Sequence, residues 1–244
     1  MKKLLLIISL LLSLVLLSSC ANKDAVKPSE DNKSTPPETK AELHTIKDYY
    51  AYKENTKYVY EGQGNEYASY TVFIDYKSGN RVQLRSNNGG TEMVKVLENK
   101  DGELRILLSR RECYYRENLT QVPISNVEIL LKEPLSLGTS WTLADSSKRS
   151  ISNLEVDVTT PLGTYKTLEV TTEGKEGKTL DYYAPNIGLV KSVFTSNGLE
   201  VSSTLSKLET NVPFTQTVRF YYPNANVDKL SFVNRQLSFK TNDI

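Results

Sequence analysis

The 244-residue chain has one histidine (His44), two cysteines (Cys20 and Cys113) and one tryptophan. A single imidazole excludes any site built on two histidines, and two thiols are too few for a thiolate zinc cage. Neither sign of charge dominates, with 30 Lys+Arg against 29 Asp+Glu. That balance excludes a nucleic-acid binder driven by bulk positive charge. Glycine and proline are at ordinary levels, 12 and 9, so a collagen-like chain is excluded as well. The 39% apolar share suffices for a packed core in one or two domains, so global disorder is not expected. Nothing in the composition calls for a metal or a cofactor.

The one long hydrophobic run lies at the start. Met1-Lys2-Lys3 is a short basic opening, and Leu4 to Leu17 is all Leu, Ile and Val apart from two Ser. The run is shorter than the ~20 residues a spanning helix needs, and it reads as a secretory signal peptide. It ends Leu17-Ser18-Ser19-Cys20, an aliphatic residue and two small residues before a cysteine, which resembles the bacterial lipoprotein lipobox. The resemblance implies cleavage between Ser19 and Cys20. Cys20 would then carry a diacylglycerol and acyl chains such as palmitate, each buried methylene adding about 0.8 kcal/mol of membrane affinity. Loss of Lys2 and Lys3 with residues 1–19 leaves the mature chain close to neutral.

Residues 20–44 contain no aromatic before His44, mix both charges and include Pro28 and Pro36-Pro37. They read as a disordered spacer. A flexible coil of that length has a mean span of roughly 25–30 Å, enough to lift a folded body clear of lipid. His44, at its end, is expected in a solvated or capping role.

From Tyr49 onward, short runs rich in Val, Ile, Tyr, Phe and Thr alternate with Gly, Asn and Asp turn signals, a pattern of β-strands. Expected strands are Lys57–Glu61, Tyr67–Tyr76, Arg81–Arg85, Thr91–Leu97, Glu103–Leu108, Glu112–Arg116, Val127–Leu131, Ile151–Thr159, Thr164–Thr171, Thr179–Tyr183, Leu189–Thr195 and Leu199–Leu208. Turns are expected at Ser78-Gly79-Asn80, Asn87-Asn88-Gly89-Gly90 and Asn99-Lys100-Asp101-Gly102. Such short connections favour antiparallel neighbours. The expected fold is mainly β, an antiparallel meander forming a curved sheet or open barrel over residues 45–209. The break near Val122-Pro123 allows either one continuous sheet or two subdomains.

Three stretches resemble known proteins. Asn55-Thr56-Lys57-Tyr58-Val59-Tyr60-Glu61-Gly62 and Gly64-Asn65-Glu66-Tyr67, with Asn87-Asn88-Gly89-Gly90-Thr91 and Tyr114-Tyr115-Arg116-Glu117-Asn118, resemble lipoproteins of spore-forming Gram-positive bacteria. In those proteins a β-rich segment precedes a GerMN domain, a module named for germination and sporulation. Gly138-Thr139-Ser140-Trp141, Thr160-Pro161-Leu162-Gly163-Thr164-Tyr165 and Tyr182-Tyr183-Ala184-Pro185-Asn186-Ile187-Gly188-Leu189-Val190-Lys191 look like a pattern of bacterial envelope β-proteins. Thr217-Val218-Arg219-Phe220-Tyr221-Tyr222-Pro223-Asn224-Ala225-Asn226, then Leu230 and Arg235-Gln236-Leu237, resemble the opening strand and turn of a GerMN domain. Such a domain is an α/β unit, and residues 210–244 are too few for a complete one. They are expected to be a truncated, incomplete GerMN-like segment. The resemblance implies a sporulation or germination setting and supplies no catalytic residue.

Chemistry is sparse in the sequence. With only His44, a Ser-His or Cys-His nucleophile is not expected. Cys113, flanked by Arg110, Arg111 and Glu112, reads as a small buried hydrophobe rather than a reactive thiol. Glu61 and Glu66 flank Gly62 and Gly64, and a loop there could converge two carboxylates for glycan cleavage, which needs them about 5–9 Å apart. Fifteen tyrosines include the doublets Tyr49-Tyr50, Tyr114-Tyr115, Tyr182-Tyr183 and Tyr221-Tyr222, which in strands would place one ring on each face. Tyrosine is both a good strand former and a rigid contact surface. The candidate binding surface is Tyr60, Glu61, Glu66, Tyr67, Tyr114 and Tyr115.

The leading expectation is therefore a non-enzymatic binding or structural protein on the extracytoplasmic face of the cell membrane. It would be held by its diacylglycerol anchor, with peptidoglycan or another envelope protein as partner and no nucleic acid. The alternatives are a peptidoglycan-acting glycosidase using Glu61 and Glu66, and a carrier holding a hydrophobic ligand inside the curved sheet.

Overall fold

A computed structural model of the protein describes residues 44–125 and 127–213 in full, and residues 227–233 and 236–241 as backbone strands. The signal peptide, Cys20, the spacer and the stretch from Thr217 to Asn226 lie outside the described residues.

A four-residue helix, α1 (Ile46–Tyr49), leads into strands β1 (Lys57–Gln63), β2 (Tyr70–Ser78), β3 (Arg81–Asn87), β4 (Glu92–Lys100), β5 (Glu103–Arg111) and β6 (Glu128–Lys132). A second run follows with β7 (Ser140–Thr142), β8 (Lys148–Thr160), β9 (Gly163–Gly174), β10 (Gly177–Ala184), β11 (Gly188–Ser196) and β12 (Leu199–Glu209). All twelve belong to one antiparallel sheet in the order β6-β5-β4-β3-β2-β1-β12-β11-β10-β9-β8-β7. Each run is a meander, and the first strand of one pairs with the last of the other, from Lys57↔Glu209 to Gln63↔Ser202. The residues on either side of Val122-Pro123 thus lie in one continuous sheet. The backbone of β13 (Val227–Val233) and β14 (Gln236–Thr241) forms a separate two-stranded antiparallel hairpin.

The mainly β, barrel-like fold read from the sequence is the fold observed. Its hairpins follow turn chemistry: Asp101-Gly102 and Asn197-Gly198 each form a two-residue loop with both φ angles positive, the conformation that matches strand twist and favours Asp-Gly and Asn-Gly. Register shifts at Val59/Tyr60, Ile74/Tyr76, Val96/Leu97 and Tyr182/Tyr183, and two in β8, supply the local bends that curl the sheet.

The curl stops one strand pair short of closure. The two sheet edges, β6 and β7, are neighbours in sequence, and side chains bridge them where a ladder would have run. The Trp141 indole N–H donates to the Ile129 carbonyl at 3.0 Å. Arg149 Nη1 donates to the same carbonyl at 2.8 Å, and its Nη2 to Glu128 Oε1 at 3.1 Å. The barrel is closed by an indole and a guanidinium.

One end is plugged by residues 44–55. Ile46, Tyr49, Tyr50 and Tyr52 are all buried there. The Ile46 N–H donates to Glu133 Oε1, the Tyr50 hydroxyl to the Asn80 carbonyl, and the Asn186 N–H to the Asp48 carbonyl. These partners lie in three connections at the same end of the barrel. His44 sits half-buried beside Asp48 at 3.8 Å and edge-on to Tyr49, while the helix cap is Thr45, whose N–H and hydroxyl donate to Asp48 Oδ2. The Val212 N–H donates to the Asn55 carbonyl, so the described body is entered and left at this closed end.

One expected strand is absent. Glu112–Arg116 is not extended, because β5 ends at Arg111 and Glu112 turns the chain with a φ of 55°. Residues 112–125 instead form a strap across the outer face of β2–β5. Arg85 on β3 accounts for this: its guanidinium donates to the carbonyls of Cys113 and Tyr115, acceptors that a strand would have given to a neighbour. Cys113, Leu119 and Val122 cover Val94, Val96 and Leu108 in a second small core. Cys113 is thus the buried hydrophobe expected from its sequence context.

Candidate functional site

The barrel interior holds a cavity of about 500 Å³, within the ~300–1,000 Å³ typical of small-molecule sites. Its wall follows from strand alternation. Along β4, Met93, Lys95 and Leu97 face the cavity, while Val94 and Val96 join the outer core under the strap. On β10, Thr179, Asp181 and Tyr183 face it.

The lining changes character from one end to the other. Towards the plugged end it is aromatic and aliphatic, with Tyr52, Tyr58, Tyr183, Leu189, Leu97 and Leu104. At this end Tyr52 meets Tyr58 edge-on at 6.0 Å, and further up, where β2 begins, Tyr70 stacks on Tyr60 at 4.5 Å. The Tyr60 hydroxyl donates to the Leu189 carbonyl at 2.8 Å, fixing its ring across β12. Burial pushes the Tyr58 phenol up to about 12, and Tyr52, Tyr60, Tyr70 and Tyr183 still higher. These phenols remain neutral at any physiological pH, so the aromatic part of the wall carries no charge.

Nearer the other end the wall becomes polar. Lys95, Glu128, Arg149, Thr179, Asp181 and Ser192 line it, with Glu128, Arg149 and Thr179 near the starts of β6, β8 and β10. Arg149 is fully engaged: besides Ile129 and Glu128, it donates from Nε to Thr172 Oγ1 at 2.8 Å. Asp181 accepts from the Ser192 hydroxyl at 2.6 Å.

Burial raises the Asp181 pKa above the ordinary aspartate range, while the Ser192 hydrogen bond and the Arg149 and Lys95 charges pull it down and Glu128 pushes it up. Asp181 is half-buried by surface area because it borders the cavity, while the barrel atoms packed around it supply the desolvation. A carboxyl whose folded pKa is raised contributes stability below its unfolded pKa, near 3.9, and loses it as pH rises through the folded value. At pH 7 its ionisation therefore costs stability. Asp181→Asn keeps an acceptor for Ser192 and removes that cost. Urea unfolding is expected to show the variant more stable than the parent at pH 7, with the difference shrinking towards pH 4. Equal or lower stability at pH 7 would overturn this assignment.

The mouth lies at the end opposite the plug, where Tyr67 from the β1–β2 connection and Asn88 and Thr91 from the β3–β4 turn reach the cavity. The expected strand from Tyr67 starts only at Tyr70, because the Asn65 side chain accepts the Tyr67 N–H at 2.7 Å and holds a turn. Tyr67 is 54% exposed. It rests over Gly90, where an added Cβ would come within 3.1 Å of its ring.

Of the six residues read as a binding surface, only Tyr60 and Tyr67 reach the cavity, one buried inside and one at the rim. Glu61 faces out of the barrel next to Tyr60, and Glu66 is exposed in the β1–β2 turn. Neither borders the cavity. Tyr114 and Tyr115 are both exposed on the strap, so this doublet does not place one ring on each face as a strand would. Tyr49 and Tyr50 are both buried in the plug, whereas Tyr182 and Tyr183 on β10 do split between half-buried and buried. The polar residues Lys95, Glu128, Arg149, Asp181 and Ser192 escaped the sequence reading. Their signal is charge or hydroxyl at inward positions of strands, which is invisible until the two faces are known.

No protein-family model and no curated protein matches the chain. Among solved structures, it is similar to a Bacteroides fragilis protein described as exported and as having a YmcC-like fold, at 14% identity and a TM-score of 0.41, over 65% of this chain and 97% of that one. It is also similar to a protein of Parabacteroides distasonis described as a lipoprotein, at 17% identity and a TM-score of 0.38, over 64% and 96%. Likeness at this level decides neither function nor ligand.

Proposed function

We propose that this chain is a lipid-anchored, extracytoplasmic binding protein, without catalytic activity, that holds a small amphipathic molecule inside its barrel. The observation that carries the reading is the graded cavity, neutral and aromatic at the plugged end and hydrogen-bonding and charged towards the mouth. Such a wall suits a molecule with an apolar body and a polar end. Large barrels enclose ligands in this way, whereas small ones fill with side chains.

The Leu17-Ser18-Ser19-Cys20 motif supports the anchor. The GerMN resemblance supports a place for this role at the envelope of a sporulating or germinating cell. A deletion strain with normal spore yield and germination would remove that part of the proposal.

Two measurements test the core of it. Cells grown with labelled palmitate are expected to label the full chain, and both Cys20→Ala and globomycin to abolish the label; label surviving either would defeat the anchor. Organic extracts of the purified protein, analysed by mass spectrometry, are expected to contain a stoichiometric amphiphile, missing from extracts of a variant whose cavity is filled by Leu84→Trp. Equal amounts from the two proteins would defeat interior binding.

A further inference from the structure

The charged residues on the cavity wall are not equally occupied. Arg149 is held by three acceptors from β6 and β9, and its contact with Glu128 at 3.1 Å matches that carboxylate as well. Asp181 is bonded to Ser192. Lys95 differs. It lies midway along β4, opposite Leu84 on β3 and Ser109 on β5, with Met93 and Leu97 as its inward neighbours on the same strand. Among the described residues, no hydrogen bond or ion pair to its ammonium is found. Its charge is nevertheless felt at Asp181 across the cavity.

A cation set half-buried into a partly apolar cavity wall, with no partner of its own among the described residues, is a ready counter-charge for a ligand. Below it lies an uncharged aromatic floor, and above it an open mouth. An ammonium between an apolar floor and water suits a ligand whose negative group stops at that level while its hydrocarbon continues downward.

We propose that the barrel binds a single-chain anionic amphiphile, a long-chain carboxylate or alkyl phosphate, with its anionic head on Lys95 and its aliphatic chain against the tyrosines of the plugged end. The inference rests on the interior-binding reading and narrows it to one ligand class and one anchoring residue. A single chain fits a cavity of about 500 Å³, in the lower half of the small-molecule range. Asp181, which feels the Lys95 charge across the cavity, opposes the anion.

The test is calorimetric titration of the delipidated full chain with tetradecanoate, tetradecyl phosphate and tetradecanol, in the parent and in Lys95→Met, Lys95→Arg and Asp181→Asn. For the parent, both anions are expected to bind at least about tenfold tighter than the alcohol, the worth of one charge-assisted hydrogen bond. Lys95→Met should remove that advantage while leaving the alcohol's affinity unchanged. Lys95→Arg should keep most of it, and Asp181→Asn should enlarge it. Shortening the carboxylate by two methylenes should weaken binding about tenfold. Whichever anion binds tighter identifies the head chemistry. If all three probes bind the parent alike, or if Lys95→Met retains the preference for anions, the anionic-head inference fails while interior binding stands. If no probe binds, both fail. Circular dichroism of each variant confirms that a lost preference is not lost folding.

Discussion

Replacing Arg85 with methionine is expected to lower the stability of the protein by about 3–5 kcal/mol, the cost of removing one partner from a buried ionic network. Arg85 is 4% exposed and does three jobs at once. It pairs with Asp75 at 3.0 Å, pairs with Glu92 at 3.1 Å, and donates to the strap carbonyls of Cys113 and Tyr115. Around it, Gln83 donates to Asp75 Oδ2 at 3.0 Å and to the Glu117 carbonyl at 2.8 Å, and its own carbonyl accepts the Leu119 N–H at 2.7 Å. Arg116 donates to the Asp75 carbonyl at 2.8 Å and lies over the Tyr76 ring. Burial pushes the Asp75 carboxyl up, and the Arg85 charge and the Gln83 hydrogen bond pull it back. Without the guanidinium, the Asp75 carboxyl keeps its desolvation with one charge partner fewer, and the carbonyls of Cys113 and Tyr115 lose the Arg85 donor.

For a domain of this size that loss corresponds to a fall in melting temperature on the order of 10 °C. Urea unfolding measures the first quantity and a thermal melt the second. The strap should also loosen before the barrel does. Trypsin is expected to cut the variant after Arg116 under native conditions, and a thiol reagent to label Cys113, a site confirmed by peptide mapping. Arg85→Lys keeps the charge but cannot reach several acceptors with one planar fork, so it should fall between parent and methionine variant. A loss below about 1 kcal/mol for Arg85→Met, with the strap still protected, would mean that the small apolar core alone holds it.

The seam gives the second large effect. Trp141→Ala is expected to cost about 3–5 kcal/mol, the usual range for emptying a buried aromatic site. Trp141→Phe should cost only about 1 kcal/mol. It keeps most of the ring, and the Ile129 carbonyl that loses the indole still accepts from Arg149. The comparison separates packing from hydrogen bonding at the closure. Because the chain has a single tryptophan, its fluorescence reports the seam directly. In the parent the emission should shift to the red only with global unfolding. A red shift at low urea, ahead of the loss of β circular dichroism, would mean that the barrel opens at β6–β7 before it unfolds. Equal costs for the two variants would overturn the reading of Trp141 as mainly a packing group.

Eleven of the twelve expected strands can be read from local sequence, because each is a short β-branched or aromatic run closed by a turn that Gly, Asn or Asp permits. Leu154-Glu155-Val156-Asp157-Val158 alternates as a strand with one wet face does, and Asp101-Gly102 dictates its hairpin through φ alone. Glu112–Arg116 carries the same composition and is not a strand, because a residue more than twenty positions earlier takes its carbonyls. Ser140–Thr142 is too short to announce itself. Its indole is what matters, and that indole's partner lies on β6.

The cavity shows the same division. Tyr60 and Tyr67 could be singled out from their neighbourhood, but not that one lies inside and the other at the rim. Glu61, one residue from Tyr60, faces outward because adjacent strand residues point to opposite faces. What the sequence determined by itself is most of the list of strands and turns, since those depend on residues a few positions apart. Which faces turn inward, which end is stoppered, and which lysine of the cavity wall stands without a partner among the described residues were decided only when β1 met β12. That pairing joins residues about 150 positions apart, and curling the sheet turned one of its two faces into the inside of a container.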